Sequence, residues 1–124
     1  MNIIDSSAWL EYFANSKNAR HFSGIVENSK NLLVPSITVY EVFKKIIMER
    51  DYSTALKIIA HMQLGRVVDF NLELALMAAR FSKEHHLPMA DSIILATARK
   101  YNAVIWTLDA DFEGLPGVKY FKKD

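Results

Sequence analysis

Apolar residues recur along this chain in two rhythms. Short, mainly apolar runs stand at Ile3-Ile4, Leu32-Leu33-Val34, Val67-Val68, Val104–Leu108 and Val118–Phe121. Between them lie longer segments in which apolar residues recur at i, i+3, i+4 and i+7, the spacing of one helix face. The short runs predict strands over Asn2–Asp5, Asn31–Val34, Arg66–Phe70, Val104–Leu108 and Val118–Phe121. Val104–Leu108 is the clearest of them, rich in β-branched and aromatic residues.

The longer segments predict helices. Ser6 and Ser7 stand as N-caps before Ala8–Phe13. Asn18–Asn28 carries Phe22, Ile25 and Val26 at helical spacing. Ser36–Arg50 presents Val39, Val42, Phe43, Ile46 and Ile47 on one face. Ser53–Gln63 does the same with Ala55, Ile58, Ile59 and Met62, and Gly65 stops it. Asn71–His85 carries Leu74, Met77, Ala78 and Phe81, with Pro88 beyond its end, and Met89–Tyr101 follows.

Strands thus alternate with helices throughout, and the strands are continuous apolar runs, as expected when both faces of a sheet are covered. The pattern predicts an α/β fold with three layers, a central, mostly parallel sheet with helices on both faces. With 124 residues and no linker or repeat, the chain reads as a single domain over 1–124.

Charge and composition narrow the function only a little. The net charge of +1 excludes a strongly basic nucleic-acid binder but not a nuclease, which needs only a local basic patch. The absence of cysteine excludes a disulfide framework and thiolate chemistry, and fits a cytoplasmic protein. The first residues, MNIIDSSAWLEYF, lack a basic leader, and no apolar run approaches the length that spans a bilayer, so no membrane role is expected. No glycine-rich phosphate loop is present, which argues against a nucleotide-cofactor enzyme.

The chemistry lies in the carboxylates. In a parallel sheet the site forms at the carboxyl ends of the strands. Asp5 ends the first strand and Asp109 follows the fourth. Glu41 falls in the first turn of the helix after the second strand. Asp91 opens a helix joined to the fourth strand by only Asn102 and Ala103, so the helix must run antiparallel to that strand and start at the same edge. Each acid also has a plainer reading. Asp5 suits a helix cap, Thr38 to Glu41 fits a capping box, and Asp109 and Asp111 are ordinary turn acids. Asp91 resists the plain reading most, because it shares a helix face with Ile94, Leu95 and Ala98. His85 and His86, adjacent in a last helical turn before a proline, read as surface residues.

Four carboxylates at one rim repel one another, and a divalent cation removes the conflict. All-oxygen acidic sites suit Mg²⁺ or Mn²⁺, which also bind phosphate oxygens and support displacement at phosphorus.

These residues carry a resemblance. Asp5-Ser6-Ser7, Val39-Tyr40-Glu41-Val42, Leu87-Pro88-Met89-Ala90-Asp91-Ser92 and Thr107-Leu108-Asp109-Ala110-Asp111-Phe112, in this order and spacing, resemble the PIN domain, in particular the VapC-type toxin ribonucleases. The resemblance spans essentially the whole chain. It implies a Mg²⁺- or Mn²⁺-dependent endoribonuclease, an RNA substrate, a small antitoxin partner and a homodimer. It places Asp5, Glu41, Asp91 and Asp109 on the family's acidic positions, Thr107 and Ser7 on its accessory hydroxyl positions, and Asp111 on a supporting acid position. Three other readings stand beside it: a PIN-type RNA-processing nuclease without an antitoxin, a degenerate PIN scaffold, and a receiver-like acidic-pocket signalling module. The last would need a phosphoacceptor near Asp69 and an ordered lysine partner, and the sequence offers no such lysine.

Overall fold

The computed structural model describes residues 1–124. Five strands, β1 (Asn2–Ile4), β2 (Leu32–Pro35), β3 (Arg66–Val68), β4 (Val104–Thr107) and β5 (Val118–Tyr120), form one sheet in the order β3-β2-β1-β4-β5. Every neighbouring pair is parallel. The six α-helices are α1 (Ser6–Phe13), α2 (Ser23–Glu27), α3 (Ser36–Glu49), α4 (Tyr52–Met62), α5 (Leu72–His85) and α6 (Met89–Tyr101).

Strand side chains alternate between faces, and the core divides accordingly. Ile3, Leu33 and Ile105 point to one face, where they pack with Leu74 and Ala78 of α5 and with Ile94, Leu95 and Ala98 of α6. Ile4, Leu32 and Val34 point to the other, where they meet Trp9 of α1, Val26 of α2, Val42 of α3 and Met62 of α4. The three-layer arrangement is therefore the one the alternation predicts, and the sheet is wholly parallel. No helix is long and apolar enough to cross a membrane.

Helix α6 keeps the boundaries read from the sequence. All its residues from Asp91 to Ala98 are buried, so it is covered on every side, with Asp91 the one ionisable group in that run. It ends at Asn102, which takes the left-handed conformation (φ 52°) that reverses the chain into β4.

Two local expectations change. The single helix over Asn18–Asn28 is instead a 3₁₀ turn, Lys17–His21, followed by the five-residue α2, with fully buried Phe22 at the junction. So short a stretch gains few i→i−4 bonds, and the apolar anchors Phe22 and Val26 decide its path. At α1, Asp5 and not a serine is the N-cap: its side chain accepts from the backbone N–H of Ala8.

Candidate metal centre

The sheet order reverses direction at β1, with β2 on one side and β4 on the other. The carboxyl edge between β1 and β4 is thus the topological switch point, where open α/β sheets form their sites. Register pairs Ile4 with Trp106, so Asp5 comes to lie beside Thr107. Asp5 keeps the parity of Ile3, and Thr107 that of Ile105. Both therefore project toward the layer of α6, whose first turn carries Asp91.

Asp5 is 2 % exposed and fully engaged. Its Oδ1 accepts from Ser7 Oγ at 2.7 Å and from the Ala8 N–H at 3.1 Å, and its Oδ2 accepts from Thr107 Oγ1 at 2.7 Å. Each hydroxyl also accepts a backbone N–H beyond β4: Leu108 N donates to Ser7 Oγ at 3.2 Å and Asp109 N to Thr107 Oγ1 at 2.8 Å. Ser7 and Thr107 thus tie the start of α1 to the loop that carries Asp109. Burial pushes the Asp5 carboxyl up to about 6, opposed by the bonds from Thr107, Ser7 and Ala8.

Asp109 Oδ1 accepts from the N–H of Asp111 at 2.9 Å and so caps a 3₁₀ turn, Ala110–Phe112, anchored by buried Phe112. That turn brings the Asp111 carboxylate back to the site. Oxygens of Asp91, Asp109 and Asp111 lie within 4.8 Å of one another. Asp91 is 9 % exposed. Its burial, then the charge of Asp109, then those of Asp5 and Asp111, push its carboxyl up to about 8.

The set of acids differs from the expected one. Asp91 and Asp109 sit together, and Asp5 adjoins them closely enough for its charge to act on Asp91. Asp111, expected in a supporting position, belongs to the close trio. Glu41 does not. It is the sixth residue of α3, in the second turn and not the first, because the helix begins at Ser36. No capping box forms: Thr38 Oγ1 donates to the Pro35 carbonyl at 2.7 Å, and Glu41 Oε1 accepts from Ser6 Oγ. The D-x-D spacing after β4 was the signal for Asp111. Nothing in the sequence paired Ser6 with Glu41.

The donor set fits a hard divalent cation. Every donor is a carboxylate oxygen, three of them converge, and none of the five acids pairs with a lysine, arginine or histidine. The ion pairs of the protein lie elsewhere, at Arg20–Asp124, Lys45–Glu49, Glu84–His85, Glu73–Lys100 and Glu11–Lys123. His85 and His86 are exposed, and neither pairs with any of the five acids. A cleft of about 710 Å³ runs between α1 and the α3–α4 pair. None of the five acids lines it, but Ser7 and Leu108 do, so it opens beside the acidic edge.

A family model described as PIN domain matches residues 3–118. No curated protein matches the chain in sequence. Among solved structures, a toxin–antitoxin complex from Klebsiella pneumoniae contains a chain with TM-score 0.82 at 20 % identity, covering 96 % of each chain. VapC20 from Mycobacterium tuberculosis, described as a Sarcin-Ricin loop cleaving toxin, has TM-score 0.78 at 16 % identity, covering 95 % of this chain and 97 % of its own. A DNA-bound VapBC from Salmonella typhimurium has TM-score 0.75 at 17 % identity, covering 98 % of each chain. At these identities the likeness is one of fold.

Proposed function

The chain belongs to the PIN domain family, and on that premise we propose that it is a Mg²⁺- or Mn²⁺-dependent endoribonuclease, the toxin of a type II toxin–antitoxin pair. One observation carries the nuclease reading: a buried carboxyl at the head of α6 meets two more acids from the β4 loop, with no cationic side chain to offset them. A cluster so arranged stays ionised near neutral pH only with a counter-charge.

Asp91, Asp109 and Asp111 would hold the cation directly, with Asp5 and Glu41 at the margins of the set. When bound, the cation supplies charge stabilisation at the phosphate and a more acidic water, the requirements of phosphodiester hydrolysis. The chain's own residues supply order. Thr107 and Ser7 fix both oxygens of Asp5 and orient the loop that carries Asp109. Such supporting bonds set ligand direction and basicity. Asp111, exposed at the rim, leaves the site open to a polymer lying across it.

The solved relatives described as toxin–antitoxin and VapBC complexes support a small antitoxin as the partner. The exposed apolar side chains of Phe70, Leu72, Leu76 and Met89 accord with a homodimer through α5 and the start of α6. A cytoplasmic site of action accords with the lack of cysteine. The deciding experiment is cleavage of RNA with and without EDTA, by the parent chain and Asp91→Asn. Both EDTA and the substitution are expected to abolish cleavage, and cleavage that survives either one overturns the mechanism.

A further inference from the structure

The Ser6 hydroxyl donates to Glu41 Oε1 across 35 residues of sequence, the one side-chain hydrogen bond that joins α1 to α3. Local geometry frees both partners for it. Asp5 already caps α1, so Ser6 has no capping duty. Thr38 turns its hydroxyl back to Pro35, so Glu41 closes no capping box. Both side chains are half-buried, which shields a bond between a neutral donor and an ionised acceptor and strengthens it.

The bond also has a place in the site. Glu41 is the expected acid that lies outside the close trio and outside the hydroxyl network of Asp5. Ser6 directly follows Asp5, so the bond anchors Glu41 to the backbone step next to that buried carboxylate. A glutamate has three torsions to fix, and a single donor to one oxygen removes much of that freedom.

We propose that Ser6 is a positioning residue for Glu41, holding its side chain in one rotamer beside the backbone step that carries Asp5. This rests on the metal-nuclease reading above. Ser6 works through Glu41 and touches neither cation nor substrate. Supporting hydrogen bonds of this kind are worth about 10- to 100-fold in metal affinity or activity.

The test is a double-mutant cycle with Mn²⁺ binding by calorimetry, RNA-cleavage kinetics and thermal melting in parallel. Ser6→Ala and Glu41→Gln are each expected to weaken Mn²⁺ binding or lower kcat by about tenfold or more, with KM for RNA little changed. The double variant is expected to be no worse than Glu41→Gln alone. Ser6→Thr, which keeps the hydroxyl, is expected to restore most of the loss. Losses that multiply in the double variant, or a Ser6→Ala protein that binds Mn²⁺ and cleaves like the parent, overturn the assignment. So does a Ser6→Thr protein as impaired as Ser6→Ala. Asp91→Asn separates the two levels. If it binds Mn²⁺ as the parent does, the metal-nuclease reading falls and takes the Ser6 assignment with it. If Asp91→Asn loses Mn²⁺ while Ser6→Ala is unaffected, only the Ser6 assignment falls.

Discussion

Thr107 and Asp5 stand 102 residues apart in sequence and 2.7 Å apart in the fold, hydroxyl to carboxylate. The bond exists because β1 and β4 are direct neighbours in register, and because Thr107 and Asp5 share the parity that faces α6. Thr107 has no exposure, and its oxygen also accepts the Asp109 N–H. Removing the hydroxyl therefore strips one buried carboxylate oxygen of a donor and one backbone donor of its acceptor. Thr107→Val, close in volume, is expected to cost about 1–3 kcal/mol of stability for the groups left unpaired. It is also expected to lower metal affinity about tenfold or more. Denaturant melts and Mn²⁺ calorimetry read the two effects separately.

Asp91→Asn is expected to divide function from stability. The side chain keeps its size and hydrogen-bonding capacity but loses the charge that burial and Asp109 oppose. Cleavage should fall by at least about a hundredfold if the carboxylate holds the cation. The metal-free melting temperature, by contrast, should stay level or rise. A variant that loses both activity and several degrees of stability would show that Asp91 is chiefly a structural acid.

Acid titration should appear in stability with a definite sign. The Asp5 carboxyl is pushed up to about 6 and that of Asp91 to about 8, both from 3.8. The folded, metal-free protein thus binds these protons more tightly than the unfolded chain. Their contribution to stability is complete below about pH 4 and is lost as pH rises through about 6 and then about 8. Melting of the metal-free protein should accordingly drop across this window, and Asp91→Asn should flatten the upper part. Mn²⁺ should raise the melting temperature more at pH 8 than at pH 5, since the cation competes with protons for the same oxygens. Equal stabilisation at both pH values would rule out these carboxylates as the ligands.

Asp111 and Asp109 make a further comparison. Both carboxylates lie in the trio, but Asp109 Oδ1 also caps the turn that delivers Asp111. Asp109→Asn and Asp111→Asn should both weaken Mn²⁺ binding. Asp109→Ala, which removes the cap as well, should cost about 1 kcal/mol more in stability than Asp111→Ala. Unchanged Mn²⁺ affinity in Asp111→Asn would return Asp111 to a turn residue.

The proposed homodimer can be broken without touching the acids. Ala79 is exposed on α5 and lines the hollow that Phe70 and Met89 share. Ala79→Arg keeps a good helix former but places a charge in that apolar wall. Light scattering should show the parent as a dimer and the variant as a monomer of unchanged melting temperature. A parent chain that is monomeric at micromolar concentration removes the dimer from the proposal.

Much of this architecture was legible in residue order. Continuous apolar runs alternating with helical stripes predict a covered parallel sheet, because a strand buried on both faces has no polar side to alternate with. Helix α6 could be bounded at Met89 and Tyr101, since Pro88 opens it and Asn102 tolerates the left-handed turn that closes it. Asp91 stands out for the same reason it matters: an acid on a helix face shared with Ile94, Leu95 and Ala98 needs a compensating partner.

The rest belonged to tertiary structure. Capping preferences are local and nearly equal among Asp and Ser, so sequence alone could not decide that Asp5 would cap α1 and release Ser6. The Thr-x-x-Glu spacing reads as a capping box, although a helix that starts at Ser36 already puts both residues inside it; the fold decided that Thr38 turns back to the Pro35 carbonyl and Glu41 to Ser6. Whether Glu41 or Asp111 joins Asp91 and Asp109 depends on distances of a few ångströms across separate elements. Those distances are set by how α1, α3 and the turn Ala110–Phe112 pack, and no periodicity along the chain encodes them. The sequence by itself determined which residues carry charge and which edge of the sheet they reach. Only the packing of α1 against α3, and of Phe112 into the core, decided which carboxylates meet.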